Sequence, residues 1–134
     1  MDWKIEVIMV PVSDVDRAKA FYSEKAGFNV DVDRTFSETF RVVQLTPPGS
    51  ACSISLATGG GDLPPGSLKG LQLVVSDVEA ARAELVQRGV EVSGVTHFED
   101  GVQMDGPGGD WNSFIFFNDP DGNAWTVQQK PTGA

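Results

Sequence analysis

Two stretches of the chain carry apolar residues at the three- and four-residue spacing of an amphipathic helix. In the first stretch these positions are Val15, Ala18, Phe21 and Tyr22, and in the second they are Val78, Ala81 and Leu85. Each stretch follows a serine that lies three residues before an acid, the spacing of a capping box. We therefore predict helices of about twelve residues that begin near Asp14 and Asp77 and end at Gly27 and Gly89.

Most of the other apolar segments are short, rich in β-branched and aromatic residues, and bounded by turn formers, a pattern typical of strands. The predicted strands cover residues 5–12, 28–32, 40–45 and 52–56 in the first half, and 71–75, 90–95, 111–117 and 124–128 in the second. Gly94 weakens the sixth of these predictions, because glycine inside a strand marks a bulge or a break. Residues 98–110 form a long glycine-rich segment that contains four acids, and a lid or a plain mobile loop would both fit it.

The order of elements is repeated. Val12-Ser13-Asp14-Val15-Asp16 returns as Val75-Ser76-Asp77-Val78-Glu79, and each copy continues through a helix and a glycine to a strand. The sequence therefore predicts one α+β domain over residues 1–134, made of a first module (about 1–57), a linker (about 58–67) and a second module (about 68–130).

The composition of the chain bears on which partners it can bind and where it is located. A net charge of −9 repels phosphate backbones and anionic lipid surfaces, so we expect neither a nucleic-acid nor a membrane partner. No apolar run approaches the roughly 20 residues that cross a bilayer, and no secretory leader is evident, so a cytoplasmic location is expected. The single cysteine, Cys52, lies in an apolar stretch and is interpreted as structural.

The duplicated Val-Ser-Asp-Val helix start, Ala20-Phe21-Tyr22, Gly27-Phe28 and the late turn Asp119-Pro120-Asp121-Gly122-Asn123 resemble the glyoxalase/bleomycin resistance/dioxygenase (vicinal oxygen chelate) superfamily. The resemblance implies two tandem βαβββ modules that form a curved mixed sheet around a cavity, with helices on the outer face. It also implies a homodimer, for which exposed strand edges give a physical reason.

Members of that superfamily hold a divalent metal with His or Glu from the first and last strands of each module. The positions that the resemblance assigns to these ligands are Val7, Ser53 or Ser55, Gly70 and Thr126, none of which supplies a carboxylate or an imidazole. The chain contains one histidine, His97, so a two-histidine site would need a second copy of the chain. We therefore expect no metal and no other cofactor.

Alternate positions on the strands give the expected cavity wall, which is mostly apolar with neutral hydrogen-bonding groups. The candidate ligand-binding residues are Val7, Met9, Ser53, Ser55, Gln72, His97, Trp111, Phe114, Phe116, Thr126 and Gln128. The aromatic members fit a stacking surface, although most buried aromatic rings serve as core packing.

No residue stands out as catalytic. The sequence favours a protein that binds a small organic molecule, such as a cationic antibiotic, without a metal. Two alternatives stay open: a lyase, isomerase or dioxygenase of the same superfamily with a non-standard or metal-free site, and a structural or regulatory dimer whose cavity is vestigial.

Overall fold

The computed structural model of the chain describes residues 1–58 and 63–134 and divides into two compact units. The first unit comprises residues 1–68 and 119–123, and the second comprises residues 69–118 and 124–134. The predicted linker (58–67) includes residues 59–62, which lie outside the described residues.

The first unit is a strand–helix–strand–strand–strand module. Its elements are β1 (Val7–Pro11), α1 (Val15–Ala20), β2 (Asn29–Ser37), β3 (Phe40–Thr46) and β4 (Ser53–Ala57), and α1 runs on into a π-helical turn, Phe21–Lys25. The strands form one sheet in the order β1-β4-β3-β2, in which β1 and β4 are parallel and the other pairs are antiparallel. A parallel pair of this kind needs a crossover connection, which α1 supplies.

The core of the first unit follows from strand alternation. Val10, Val43, Leu45, Ile54 and Leu56 occupy every second position of their strands and are no more than 4% exposed. The helical stripe read from the sequence adds its own buried residues, Ala18, Phe21 and Tyr22. Polar and half-exposed side chains therefore lie on the opposite face of the same sheet.

The second unit repeats this order with one more strand. Its elements are β5 (Leu71–Val75), α2 (Val78–Gln87), β6 (Thr96–Glu99), β7 (Val102–Asp105), β8 (Phe114–Asn118) and β9 (Ala124–Gln129). The sheet order is β5-β9-β8-β6-β7, and only β5 and β9 are parallel. The predicted α+β fold of two tandem modules with mixed sheets is thus confirmed. None of the helices in the described ranges is long and apolar enough to cross a membrane.

The helix starts are capped one residue later than the capping-box pattern predicts. Asp14 accepts a hydrogen bond from the backbone N–H of Arg17 at 3.1 Å, and Asp77 accepts one from Ala80 at 3.0 Å. The assignment of the caps to the serines was therefore wrong, because the Asp carboxylate one residue further along already accepts the free amide of the first turn. Gly27 and Gly89 do lie in the left-handed region, with φ of 78° and 84°.

Two predictions in the second unit were also wrong. Residues 90–95 form no strand and make one isolated bridge, between Val92 and Phe117. Residues 98–110 are not an irregular lid, because they contain the end of β6, all of β7 and the two-residue turn Asp100-Gly101. Both turn residues have positive φ, 51° and 80°, as a type I′ hairpin turn requires.

Candidate ligand-binding site

The polar face of the first sheet brings together the four residues that the sequence assigns to it. Val7 lies opposite Ser53 and Met9 opposite Ser55 in the parallel pair of β1 and β4. Val7 and Met9 are 42% and 55% exposed, whereas the two serines are buried. This face therefore offers apolar surface at its edge and hydroxyl groups in its middle.

A carboxylate that the sequence analysis did not assign to this face lies beside the hydroxyls. The hydroxyl of Thr46 hydrogen-bonds to the carboxylate of Asp31 and lies 2.6 Å from that of Ser53. Asp31 falls at a register shift between Val30 and Val32, where β2 carries an extra residue relative to β3. Simple alternation fails at such a bulge, so no sequence pattern indicates the placement of Asp31.

The second sheet aligns a larger set of candidates on one face. Gln72 on β5 lies opposite Thr126 on β9. On the other side of β9, Thr126 lies opposite Phe116 and Gln128 lies opposite Phe114, both on β8. Directly paired residues point to the same side of a sheet, so these five side chains form one surface. The two phenylalanines, Thr126 and Gln128 are partly buried, and Gln72 is exposed.

Three phenyl rings form a row across this surface. The ring centroids of Phe114 and Phe116 are 6.3 Å apart with planes 16° from parallel, and Phe98 meets Phe114 edge-on at 5.5 Å. Sequence patterning does not identify Phe98, because the glycine-rich composition of residues 98–110 predicts a loop. The Asp100-Gly101 hairpin signal could have identified the β6–β7 pair, whereas the placement of Phe98 on the face of Phe114 follows from the separate pairing of Thr96 with Phe114.

Uncharged hydrogen-bonding groups border the row. The side-chain amide of Gln72 donates to the carbonyl oxygen of Gln128 at 2.5 Å, and the Gln128 amide donates to the backbone carbonyl of Trp111 at 2.7 Å. Trp111 precedes β8 in a left-handed conformation, with φ of 60° and 46% exposure. Neutral amides at the edge of an aromatic surface orient a ligand without the desolvation cost of a buried charge.

His97 points away from this surface. Its neighbour Thr96 pairs with Phe114, and successive strand residues face opposite sides of a sheet. The Nδ1 atom of His97 lies 2.7 Å from the carbonyl oxygen of Gly106, and its Nε2 is 3.8 Å from Glu99. The structure thus places His97 apart from the other candidates of the second unit.

The positions assigned to metal ligands do not suit a divalent cation. Val7 is aliphatic, Gly70 has no side chain, and Ser53, Ser55 and Thr126 offer neutral hydroxyls in place of carboxylate or imidazole. Across residues 1–58 and 63–134, no three His, Cys, Asp or Glu side chains are grouped as a metal site. The residues present therefore do not fit the chelate from which the vicinal oxygen chelate superfamily takes its name.

Comparison with protein-family sequence models gives a match that spans both modules. The model for the Glyoxalase/Bleomycin resistance protein/Dioxygenase superfamily matches residues 4–127. The chain belongs to this superfamily.

Among solved structures, TnmS3, an antibiotic binding protein from Streptomyces sp. CB03234, is 36% identical with a TM-score of 0.78, over 97% of this chain and 98% of that one. A glyoxalase/bleomycin resistance protein from the same organism is 37% identical with a TM-score of 0.75, over 94% of this chain and 100% of that one. The uncharacterized protein YetH of Bacillus subtilis (strain 168) is 22% identical over 94% of this chain and 98% of its own length.

Proposed function

We propose that this protein binds a small organic molecule whose planar aromatic part stacks on the row formed by Phe98, Phe114 and Phe116. The observation that carries the proposal is the row itself, because its rings lie in register on one sheet face and are only partly covered. Side chains that served only as core would be closed off, as Ile115 and Phe117 are on the other side of β8.

Charge favours a cationic ligand. The chain carries a net charge of −9. An acidic surface raises the local concentration of cations and speeds their association. The similarity to TnmS3, described as an antibiotic binding protein, supports an antibiotic as the ligand.

The proposed binding needs no metal, because the residues at the ligand positions of the superfamily lack suitable donor atoms. No catalytic role is proposed for any residue. The homodimer and the cytoplasmic location stay predictions of the sequence.

Titration of proflavine, a planar tricyclic cation, and of bleomycin against purified protein tests the proposal. We expect Phe116→Ala to weaken proflavine binding about tenfold, since one stacked ring contributes about 0.5 to 1.5 kcal/mol beyond its buried area. Fluorescence of the dye measures the dissociation constant.

Phe36→Ala is the matched control, because Phe36 is a half-exposed ring at the β2–β3 end of the other unit. It should leave the dissociation constant unchanged. Failure of both compounds to bind, or equal losses in Phe116→Ala and Phe36→Ala, would overturn the proposed site.

A further inference from the structure

The first unit has a concavity on the side of the sheet opposite Ser53 and Ser55. It is an open pocket of about 470 Å³ between the start of α1 and the tip of the β2–β3 hairpin. Thr35 and Arg41 line the pocket and are paired across the β2–β3 hairpin. The Arg41 guanidinium also donates a hydrogen bond to Asp16 of α1. Its volume falls within the range of about 300 to 1,000 Å³ that is typical of small-molecule sites.

Hydroxyl groups dominate the lining. The hydroxyl-bearing residues around the pocket are Ser13, Thr35, Ser37, Thr39 and Thr58. Hydroxyls both donate and accept hydrogen bonds, so a lining of this kind matches a ligand that carries several hydroxyls of its own. Phe40 stands at the same rim, 57% exposed, and presents an apolar ring to the pocket.

The pocket lining carries more negative than positive charge. Both carboxylates, Asp14 and Glu38, line the pocket with a single cation, Arg41. Arg41 is already engaged, since it donates to Asp33 through Nε and Nη2 at 2.9 Å and to Asp16 through Nη1 at 2.7 Å. In the described part of the chain Glu38 makes no ion pair, so its carboxylate is available to a ligand.

We propose that this pocket is a second binding site, separate from the aromatic row, for an amine-bearing polyhydroxylated molecule of the amino-sugar class. The hydroxyls bond the ring hydroxyls of the sugar, and Phe40 packs against its apolar face. Glu38 pairs with the ammonium group, which a neighbouring aromatic ring also attracts.

Glucosamine and glucose are the probes, because they differ only in the amine. We expect glucosamine to shift the backbone amide NMR signals of residues 13–15 and 35–41, and to bind more tightly than glucose. Glu38→Gln should weaken glucosamine binding about two- to fivefold, the size of an exposed ion pair, and should leave glucose binding unchanged.

Glu24→Gln is the matched control, since Glu24 is an exposed acid of the same unit that lies outside the pocket. It should behave as the wild type. Equal affinity for the two sugars, shifts elsewhere in the protein, or the same loss in both variants would overturn the proposal. Proflavine binding to Phe116→Ala reports separately on the aromatic row.

Discussion

At the scale of single residues, the turn at residues 119–123 does more than reverse the chain. The Asp119 carboxylate is buried and accepts hydrogen bonds from the Tyr22 hydroxyl and the Asn123 amide, each at 2.7 Å. Asn123 also donates to the backbone carbonyl of Pro11 at 2.8 Å. These residues tie the turn to β1 and to the helical segment of the first unit, which explains why Tyr and Asn occupy fully buried positions.

Removal of one hydroxyl from this network should be costly. Tyr22→Phe leaves a buried carboxylate oxygen short of a donor, so we expect the free energy of unfolding to fall by about 1 to 3 kcal/mol. Urea denaturation measures the change, and Thr132→Val, which removes a hydroxyl at an exposed position, serves as the control. A Tyr22→Phe protein as stable as the wild type would show that the bond adds nothing.

The sequence predicted one half of this network. Helical spacing placed Tyr22 in the core, and its burial bears this out. Its partner lies 97 positions away, and no local pattern indicates a contact over that separation. Long-range polar pairs of this kind come from the tertiary fold alone.

At the scale of elements, an ion-pair network fastens the β2–β3 hairpin to α1. Asp33 on β2 accepts hydrogen bonds from Arg41 on β3 and from Lys19 on α1, the latter at 2.6 Å, while Arg41 also bonds Asp16. The hydrogen bonds from Arg41 and Lys19 hold the pKa of Asp33 well below its usual range, and the hydrogen bonds that Arg41 makes to Asp33 and Asp16 raise the pKa of Arg41.

The direction of this shift fixes a pH dependence. A carboxyl whose pKa is lowered by folding stabilises the protein above its unfolded pKa of about 3.9, and that contribution is lost as the pH falls toward the folded pKa. Asp33→Asn should therefore lower stability by roughly 1 kcal/mol at neutral pH, and the difference from the wild type should shrink in acid. Thermal unfolding at a series of pH values measures the stability difference, with Asp2→Asn as the control. A stability difference that grows in acid would contradict this explanation.

Element prediction succeeded where local patterning was strong. The strand at residues 71–75 was predicted with the observed bounds, and the last strand was one residue short. It failed at residues 90–95, which form no strand, and at residues 98–110. There the abundance of glycine and acid obscured the Asp-Gly turn that defines the β6–β7 hairpin.

At the scale of the whole chain, the two modules keep the same scaffold and have different surfaces. Asp14 and Asp77 cap equivalent helices, and both modules pair their first and last strands in parallel. Alternation along these strands was enough to predict two groups of surface residues, one on each sheet. It could not supply Asp31, which follows from a bulge, or Phe98, which follows from the pairing of β6 with β8.

The central claim, metal-independent binding of a planar organic cation on the aromatic row, is tested most directly by NMR. Uniformly labelled protein, stripped with EDTA and checked by elemental analysis, is titrated with proflavine. Saturable shifts of the signals of β8 and β9 are expected, and they should be unchanged when divalent metal is added back. Binding that appears only with metal, or shifts that leave these strands unaffected, would contradict it.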